Sequence, residues 1–206
     1  MTIKAVFFDF DLTLVDTKPG VKASYKALSK LTDKKPTKKG FRKYVGSRFS
    51  EMIERLHKES DISKKKLIQT YLKAYRSKIP KMKYHGKKII PMIKDKKIII
   101  LTNNYKKAVK AVCRYFNIKY DKLITDQDMK KYQKKHDAMI KTLKRLDLKK
   151  SEAVYVGDHI NDVKEAHKAG IKSVIVPTGV YKRSYLKKFH PDFLLPSLKK
   201  FPKIIK

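Results

Sequence analysis

Residues 5–16 of this 206-residue chain read AVFFDFDLTLVD. Four apolar residues in succession, Ala5 to Phe8, predict a strand that is buried on both faces. Asp9 and Asp11 follow at the end of that strand. Burying an ionised carboxylate without a partner is costly, so this pair indicates a bound cation and a reaction. The alternative is a turn in which both aspartates only accept hydrogen bonds from backbone amides.

Strand and helix patterns alternate in most of the remaining chain. Because parallel strands joined by helices need cover on both faces, we expect a Rossmann-like α/β fold with a parallel sheet between two helical layers. Apolar runs predict strands at 97–101, 122–125, 153–156, 173–176 and 192–195, and helical spacing predicts helices at 106–116, 137–146 and 162–169.

Residues 17–84 have a different pattern, with helical periodicity that Pro36 and Gly40 are expected to interrupt. We therefore predict a discontinuous α/β core domain, 1–16 plus 85–206, and an inserted helical cap domain, 17–84. The inserted block is strongly basic, with 21 Lys or Arg residues against five Asp or Glu residues.

Polar residues follow two more of the predicted strands. Thr102 and Asn103 follow strand 97–101, and Asp158 and Asp162 follow strand 153–156. In an open parallel sheet these strand ends lie at one edge, where ligands bind. Each pair also has a local explanation, since Thr102 could cap the next helix and Asp162 could complement a helix dipole.

The net charge of the chain is +34, from 53 Lys plus Arg against 19 Asp plus Glu. Such a field attracts polyanions without specificity. A nucleic-acid-associated phosphatase or binding protein is therefore the alternative interpretation. Only seven of the 53 cations are arginine, the residue that base-reading proteins favour, so we do not prefer it.

No apolar stretch approaches the roughly 18 residues of a membrane span, and the N-terminal residues do not form a signal sequence. We expect a soluble cytoplasmic protein. The single cysteine, Cys113, excludes an internal disulfide, and the composition does not indicate an oligomeric state.

Three segments resemble motifs of the haloacid dehalogenase-like hydrolases. DFDLTLVD at 9–16 is similar to the first motif of that family, ILTN at 100–103 to the second, and VGDHIND at 156–162 to the fourth. The motif order and the inserted helical cap resemble the subgroup that includes phosphoglycolate phosphatases.

The resemblance implies an Mg²⁺-dependent phosphatase that hydrolyses a small phosphorylated metabolite, a phosphate monoester, through an aspartyl-phosphate. Asp9 would be the nucleophile, and Asp11 would protonate the leaving group and then activate water. The Asp9 carboxylate, the Asp11 backbone carbonyl and Asp158 would hold Mg²⁺, with Asp162 as a supporting partner or occasional ligand. Thr102 and the Asn103 amide would bind the phosphoryl oxygens. Pyrophosphatase, phosphomutase, nucleotidase and phosphonate hydrolase activities occur on the same motifs and stay as alternatives.

The third motif of the family, a lysine before the helix that precedes the fourth motif, is displaced in this chain. Counting back without gaps places Gln133 there, and Lys131, Lys134 and Lys135 surround it. We expect Lys134 to fill the lysine position of the third motif.

One cap residue is a further candidate. Arg48, in the sequence Gly46-Ser47-Arg48, is placed where the caps of related proteins approach the active site. It could contact a substrate carboxylate or second phosphate, or it could be a solvated helix residue.

Overall fold

A six-stranded parallel sheet forms the centre of the fold, in the order β5-β4-β1-β6-β7-β8. The computed structural model describes residues 2–45 and 47–205. Gly46, named above beside Arg48, lies outside the described residues. The six strands are β1 (Ala5–Phe8), β4 (Lys97–Leu101), β5 (Lys122–Ile124), β6 (Ala153–Gly157), β7 (Lys172–Ile175) and β8 (Phe193–Leu194).

Strand β1 lies in the middle of the sheet because all four of its side chains are apolar and can be buried. It pairs in parallel with β4 on one side and β6 on the other, so that Phe8 is level with Ile100 and Val156. This register brings the residues that follow the three strands to the same edge of the sheet. The carboxyl end of β1 thus lies between the carboxyl ends of β4 and β6.

Side chains alternate between the two faces of the sheet, as strand geometry requires. Val6 and Phe8 belong to one apolar cluster, whereas Ala5 and Phe7 belong to another. Helices cover both faces, which confirms the predicted Rossmann-like α/β fold. The helices that follow β4 in the chain are α5 (Lys106–Tyr115), α6 (Met129–Tyr132), α7 (Lys135–Arg145), α8 (Ile160–Ala169) and α9 (Arg183–Lys187).

Four helices lie between the first and second strands of the sheet in chain order. They are α1 (Lys18–Leu31), α2 (Lys38–Val45), α3 (Phe49–Ser60) and α4 (Lys64–Arg76). Two short strands, β2 (Val15–Asp16) and β3 (Lys83–Tyr84), flank this helical segment and pair with each other in antiparallel fashion. The division into core and cap domains stays a prediction.

Some predicted boundaries were wrong. Gly40 does not interrupt a helix but lies inside α2, where the cost of glycine in a helix is small enough for packing to offset. The helix predicted at 137–146 begins two residues earlier, and the one predicted at 162–169 begins at Ile160. Within residues 2–45 and 47–205, no helix is both long and apolar enough to cross a bilayer.

Candidate active site

Three aspartates meet at the carboxyl edge of the sheet. One oxygen of each of Asp9, Asp158 and Asp162 lies within 4.8 Å of the others. Asp9 follows β1, whereas the other two follow β6. The Asp9 side chain is 13% exposed, and Asp158 and Asp162 are buried. Because like charges repel strongly at this separation away from water, the cluster needs cations.

Lys135 supplies one of these cations. Its Nζ donates to Asp9 Oδ1 at 2.7 Å, to Asp162 Oδ1 at 3.1 Å and to the Tyr155 hydroxyl at 2.6 Å. The lysine side chain is only 9% exposed. A buried ammonium with three acceptors is fixed in place, so Lys135 holds the carboxylates of two strand ends together.

The expectation that Lys134 fills this position is corrected to Lys135. Lys134 is the exposed residue immediately before α7, and Lys131 and Gln133 are also exposed. Gln133 has a φ of 62° and a ψ of -54°, a positive-φ conformation that is uncommon outside glycine, and the Lys134 amide donates across it to the Tyr132 carbonyl at 2.7 Å. Counting residues without gaps cannot detect this local turn. The turn brings Lys135, and not Lys134, into the site.

The pKa values of the cluster follow from burial and from the single lysine. Burial raises the pKa of Asp9 to about 7, against the attraction of Lys135. Burial and the neighbouring carboxylates raise the pKa of Asp158 well above its usual range. Burial also disfavours the charge of Asp162, but Lys135 and His159 hold its pKa below the ordinary value. Ionisation of Asp162 is therefore favoured in the metal-free site, whereas burial disfavours the ionised forms of Asp9 and Asp158.

Asp162 supports the site from the first turn of α8. Besides the lysine, it accepts hydrogen bonds from the Tyr155 hydroxyl and from the backbone amides of Asp158 and His159, at 2.9–3.1 Å. Its carboxylate also packs over Gly157, where a Cβ would lie 2.3 Å from Asp162 Oδ2. A glycine is therefore required at that position, and both oxygens of Asp162 are already engaged.

Asp158 is oriented by the turn that follows β1. Thr13 Oγ1 donates to Asp158 Oδ1 at 2.6 Å. The turn reaches this far because Leu12 adopts a left-handed conformation with a φ of 66°, which costs energy for a residue with a bulky side chain. No described residue donates a hydrogen bond to the other carboxylate oxygen, Oδ2, of Asp158 or to Oδ2 of Asp9.

Asp11 faces the helical segment. Its Oδ1 accepts hydrogen bonds from Thr17 Oγ1 at 2.7 Å and from the Tyr75 hydroxyl at 2.9 Å, and its Oδ2 accepts one from Asn104 Nδ2 at 2.8 Å. Tyr75 belongs to α4 and is completely buried. The predicted proton-transfer residue is therefore oriented by side chains rather than by the backbone amides of a turn.

Thr102 and Asn103 lie beside the two aspartates of the first motif, at the end of β4. Thr102 does not cap α5, because that helix begins at Lys106 with Tyr105 at its N-cap. Its hydroxyl is buried and lies 3.5 Å from Asp11 Oδ2. Both residues line the same cavity as Asp9.

Arg48 joins the helical segment to the sheet. Its Nε donates to Asp126 Oδ1 at 3.2 Å, and Ser50 donates to both oxygens of the same buried carboxylate. The Phe49 amide also donates to the Asn103 carbonyl at 3.0 Å. Arg48 lines the cavity, but its guanidinium is engaged with a protein carboxylate and is not a free solvated group.

These residues surround one cavity of about 420 Å³. The strand-end carboxylates form its floor, and side chains of α1 to α4 form the opposite wall. Exposed residues of α8, including Lys164 and Lys168, lie at its rim. The volume suits a small organic molecule in contact with the carboxylates.

The donor set fits a divalent metal ion. Three buried or nearly buried carboxyl groups face a single lysine, so a further cation is needed before all three can be ionised together. Oxygen ligands of this kind suit Mg²⁺. Since both oxygens of Asp162 are engaged, the carboxylates of Asp9 and Asp158 are the better candidates.

Several residues of the site were missed from the sequence. Five residues that were not predicted form hydrogen bonds with predicted site residues: Tyr155, Thr13, Asn104, Tyr75 and Asp126. Thr13 and Asn104 lie beside the motifs, so their polar side chains in otherwise apolar surroundings were an available signal. Tyr75 and Asp126 lie far from any motif in sequence, and only the folded chain reveals their contacts.

Comparisons with known proteins agree with this geometry. A model of the family described as haloacid dehalogenase-like hydrolase matches residues 6–176. A protein of Caldanaerobacter subterraneus that carries the name PpaX is 27% identical over 211 residues, covering 100% of this chain and 96% of the relative. Pyrophosphatase PpaX of Halalkalibacterium halodurans is 24% identical over 215 residues, covering 96% of this chain and 94% of the relative.

Solved structures share the fold. A predicted phosphoglycolate phosphatase from Haemophilus somnus has a TM-score of 0.82 at 16% identity, covering 100% of this chain and 99% of its own. A haloacid dehalogenase-like family protein from Streptococcus pneumoniae has a TM-score of 0.77 at 20% identity, covering 99% of both chains. At such low identity the likeness concerns the fold.

Proposed function

The chain belongs to the haloacid dehalogenase-like hydrolases and acts on phosphate esters, and from this premise we propose that it is an Mg²⁺-dependent phosphatase for a small phosphate monoester. The observation that carries the proposal is the cluster of Asp9, Lys135, Asp158 and Asp162 on the floor of the cavity. A protein that only bound polyanions would gain nothing from such a cluster, since its carboxylates repel phosphates.

Asp9 is the nucleophile in this proposal. Its Oδ1 is bound by Lys135, which leaves Oδ2 to attack phosphorus and form an aspartyl-phosphate. Lys135 neutralises the carboxylate and then faces the phosphoryl oxygens that arrive beside it. Thr102 and the Asn103 amide lie beside Asp9 in the cavity and complete the set of phosphoryl-binding groups.

Asp11 transfers protons. It donates a proton to the leaving oxygen, and afterwards takes one from the water that hydrolyses the aspartyl-phosphate. Tyr75, Thr17 and Asn104 hold its carboxylate beside the cavity between these steps. Because Tyr75 belongs to the helical segment, the position of that segment and the position of the acid are linked.

The carboxylates of Asp9 and Asp158 and the backbone carbonyl of Asp11 would hold Mg²⁺. The ion would supply positive charge against the phosphoryl oxygens during transfer. Asp162 orients Lys135 and the Asp158 amide rather than serving as a ligand.

The test is release of inorganic phosphate from an aryl phosphate, measured with Mg²⁺ and with EDTA. We expect release only with the metal, and an acid-stable phosphoryl adduct on the peptide that contains Asp9 after rapid quenching. Phosphate release that persists in EDTA would contradict the metal requirement. An adduct on another peptide would contradict the assignment of the nucleophile.

A change at Asp158 tests the metal site without relying on activity. We expect Mg²⁺ to raise the melting temperature of the native chain and to have little effect on Asp158→Asn, since one ligand carboxylate is lost. Asp33→Asn is the matched control, because this aspartate is exposed and distant from the cavity. An equal Mg²⁺ response in both variants would exclude Asp158 as a ligand.

The effect of Mg²⁺ on the melting temperature is expected to depend on pH. Because burial raises the pKa of Asp9 to about 7 in the metal-free fold, that fold retains a proton which the unfolded chain releases near pH 4. The contribution of Asp9 to the stability of the metal-free protein therefore falls as pH rises from about 4 to about 7. Mg²⁺ competes with this proton, so its apparent affinity is expected to rise about tenfold from pH 6 to pH 8. A pH-independent affinity would contradict this linkage.

A cytoplasmic location and salt-sensitive attraction to polyanions stay predictions of the composition. The net charge of +34 is compatible with rapid capture of any small anion, because the field of the whole chain acts at long range. Pyrophosphate hydrolysis is compatible with the same floor residues and is the alternative activity.

A further inference from the structure

A histidine precedes helix α8 at the edge of the cavity. His159 directly follows Asp158, is half-buried, and lines the cavity together with the floor carboxylates. It occupies the N-cap of α8, and its side chain accepts a hydrogen bond from the first turn of the helix. Serine, threonine, asparagine and aspartate usually fill such a position with a short side chain. A histidine caps the helix with one ring nitrogen and has a second nitrogen that the cap does not use.

The capping contact fixes which nitrogen of the ring carries the proton. The Asn161 backbone amide donates to Nδ1 of His159 at 3.1 Å. A nitrogen that accepts from an N–H group presents its lone pair, so the proton of the neutral ring is on Nε2. Burial lowers the pKa of His159, which favours the same neutral form. Nε2 of His159 is therefore a hydrogen-bond donor.

The His159 ring is also held by aromatic packing. Its centre lies 4.9 Å from the centre of the Tyr181 ring, with an interplanar angle of 58°. Tyr181 is in turn stacked on Tyr185, with 5.1 Å between the ring centres. Contact with Tyr181 and the bond to Nδ1 together restrict rotation of the imidazole. A donor whose direction is fixed in advance loses less entropy when it binds an acceptor.

Nε2 of His159 has no hydrogen-bond partner among the residues that the structure describes. The neighbouring Asp162 carboxylate accepts from the backbone amide of His159 and not from its ring. Polar groups that line a cavity and lack a protein partner are the ones that fix the orientation of a ligand. This N–H group is therefore available to a molecule bound in the cavity.

The phosphoryl group has other donors in the proposed mechanism. Its oxygens face Lys135, Thr102, the Asn103 amide and the metal ion. Thr102 and Asn103 follow β4, whereas His159 follows β6, and these two strands lie on opposite sides of β1. The group without an assigned donor is the leaving group.

We propose that Nε2 of His159 donates a hydrogen bond to an oxygen of the leaving group, and that the natural substrate is the phosphate ester of a small alcohol carrying such an acceptor, a hydroxyl or carboxylate oxygen. This inference rests on the proposed phosphomonoester hydrolysis and adds the class of ester. His159 is then a residue that determines specificity, and it is neither the acid nor the base of the reaction. A cavity of about 420 Å³ accommodates a phosphoryl group with a short substituted chain.

Two matched pairs of substrates test the inference. Glycerol 1-phosphate and propyl phosphate have the same carbon chain, but only the first carries hydroxyl groups on its leaving group. Phosphoglycolate and ethyl phosphate form a second pair, in which only the first carries a carboxylate. The measured quantity is the ratio of kcat/KM within each pair, the ester with the acceptor over the ester without it.

His159→Asn removes the donor and keeps the helix cap. Asparagine is a preferred N-cap residue, so the variant is expected to fold, but its short side chain has no counterpart of Nε2. We expect the ratio to fall about tenfold in at least one pair, the usual effect of losing one hydrogen bond to the substrate. A fall of less than about threefold in both pairs overturns the inference, and any larger fall in either pair supports it. An equal loss of activity on both members of each pair leaves the ratios unchanged and thus also overturns it.

His190→Asn is the matched control. His190 is exposed, lies outside the cavity and has a φ of 51°, a conformation that asparagine adopts readily. We expect both ratios to stay within about twofold of the native values. A fall of the same size in His190→Asn as in His159→Asn would contradict a specific role for His159.

The tautomer of His159 provides a test that does not depend on activity. Two-bond ¹⁵N–¹H NMR spectra of the native chain should show the proton of this ring on Nε2. A proton on Nδ1 overturns the inference, because the ring would then present an acceptor to the cavity. If circular dichroism shows that His159→Asn does not fold, the tautomer decides alone.

The failure of this inference is distinguishable from failure of the proposed function. If the four esters are hydrolysed, Asp9→Asn abolishes that activity and His159→Asn leaves both ratios unchanged, only the role of His159 is wrong. If none of the four is hydrolysed in an Asp9-dependent way, the phosphatase proposal itself is wrong.

Discussion

Asp9→Asn is expected to lower kcat for phosphate release by at least about four orders of magnitude, the usual loss when a covalent nucleophile is removed. The asparagine keeps the size of the side chain and a carbonyl oxygen near Lys135, but an amide oxygen does not attack phosphorus. One oxygen of Asp9 is bound by the lysine, and the other accepts no hydrogen bond from the described residues, which is compatible with this proposed role. The measurement is single-turnover and steady-state release from benzyl phosphate with saturating Mg²⁺.

Asp61→Asn is the matched control for this change. Asp61 is exposed at the C-terminal end of α3 in a left-handed conformation, which asparagine adopts readily. We expect its activity to stay within about twofold of the native chain, as for most surface substitutions. Retention of more than about one hundredth of the native kcat by Asp9→Asn would exclude an aspartyl-phosphate on that residue.

The second large effect is expected at Lys135. Lys135→Met keeps most of the length of the side chain but removes the charge that the Asp9 and Asp162 carboxylates share. We expect kcat to fall by about a thousandfold, in line with the loss of a preorganised group that stabilises charge in the transition state. The melting temperature in EDTA should also fall, because removing one partner of a buried ion pair leaves charges uncompensated.

Lys134→Met is the matched control for Lys135→Met. It removes one positive charge from a chain of 46 lysines without removing the contact with Asp9. Lys134 is adjacent in sequence and lines the same cavity, but its side chain is exposed. We expect its kcat and its melting temperature to lie close to the native values, within about twofold for kcat. An equal loss in the two variants would mean that the field of the rim, and not the contact with Asp9, is what matters.

Much of the site was predictable because strand ends in a parallel sheet meet at one edge. Asp9 and Asp158 follow apolar runs that could only be buried strands, and the pairing of Phe8 with Val156 then brings them together. The family resemblance added the order of the motifs. This part of the fold depends on local sequence patterns and on a general rule of sheet topology.

The other parts of the site depend on backbone conformation and on contacts between residues that are distant in sequence, and these could not be predicted from the sequence. Lys135 reaches the carboxylates because the chain makes a tight turn with a positive φ at Gln133, and no count along the sequence contains that information. Arg48 pairs with Asp126 across 78 positions of the chain, so its charge could not be known to be engaged. Tyr75 bonds to Asp11 for the same reason, from a helix whose sequence shows only ordinary amphipathic spacing.

The pairing of β2 with β3 allows the segment between them to vary during evolution without disturbing the sheet. The main chain leaves the sheet layer at Val15–Asp16 and returns at Lys83–Tyr84, and these two crossings are neighbours bonded to each other. Everything between them therefore begins and ends at almost one point in space. Insertions, deletions or a wholesale exchange of that stretch would leave the strand order of the sheet untouched. The helical wall of the cavity can thus diversify while the carboxylates on the opposite side are inherited unchanged.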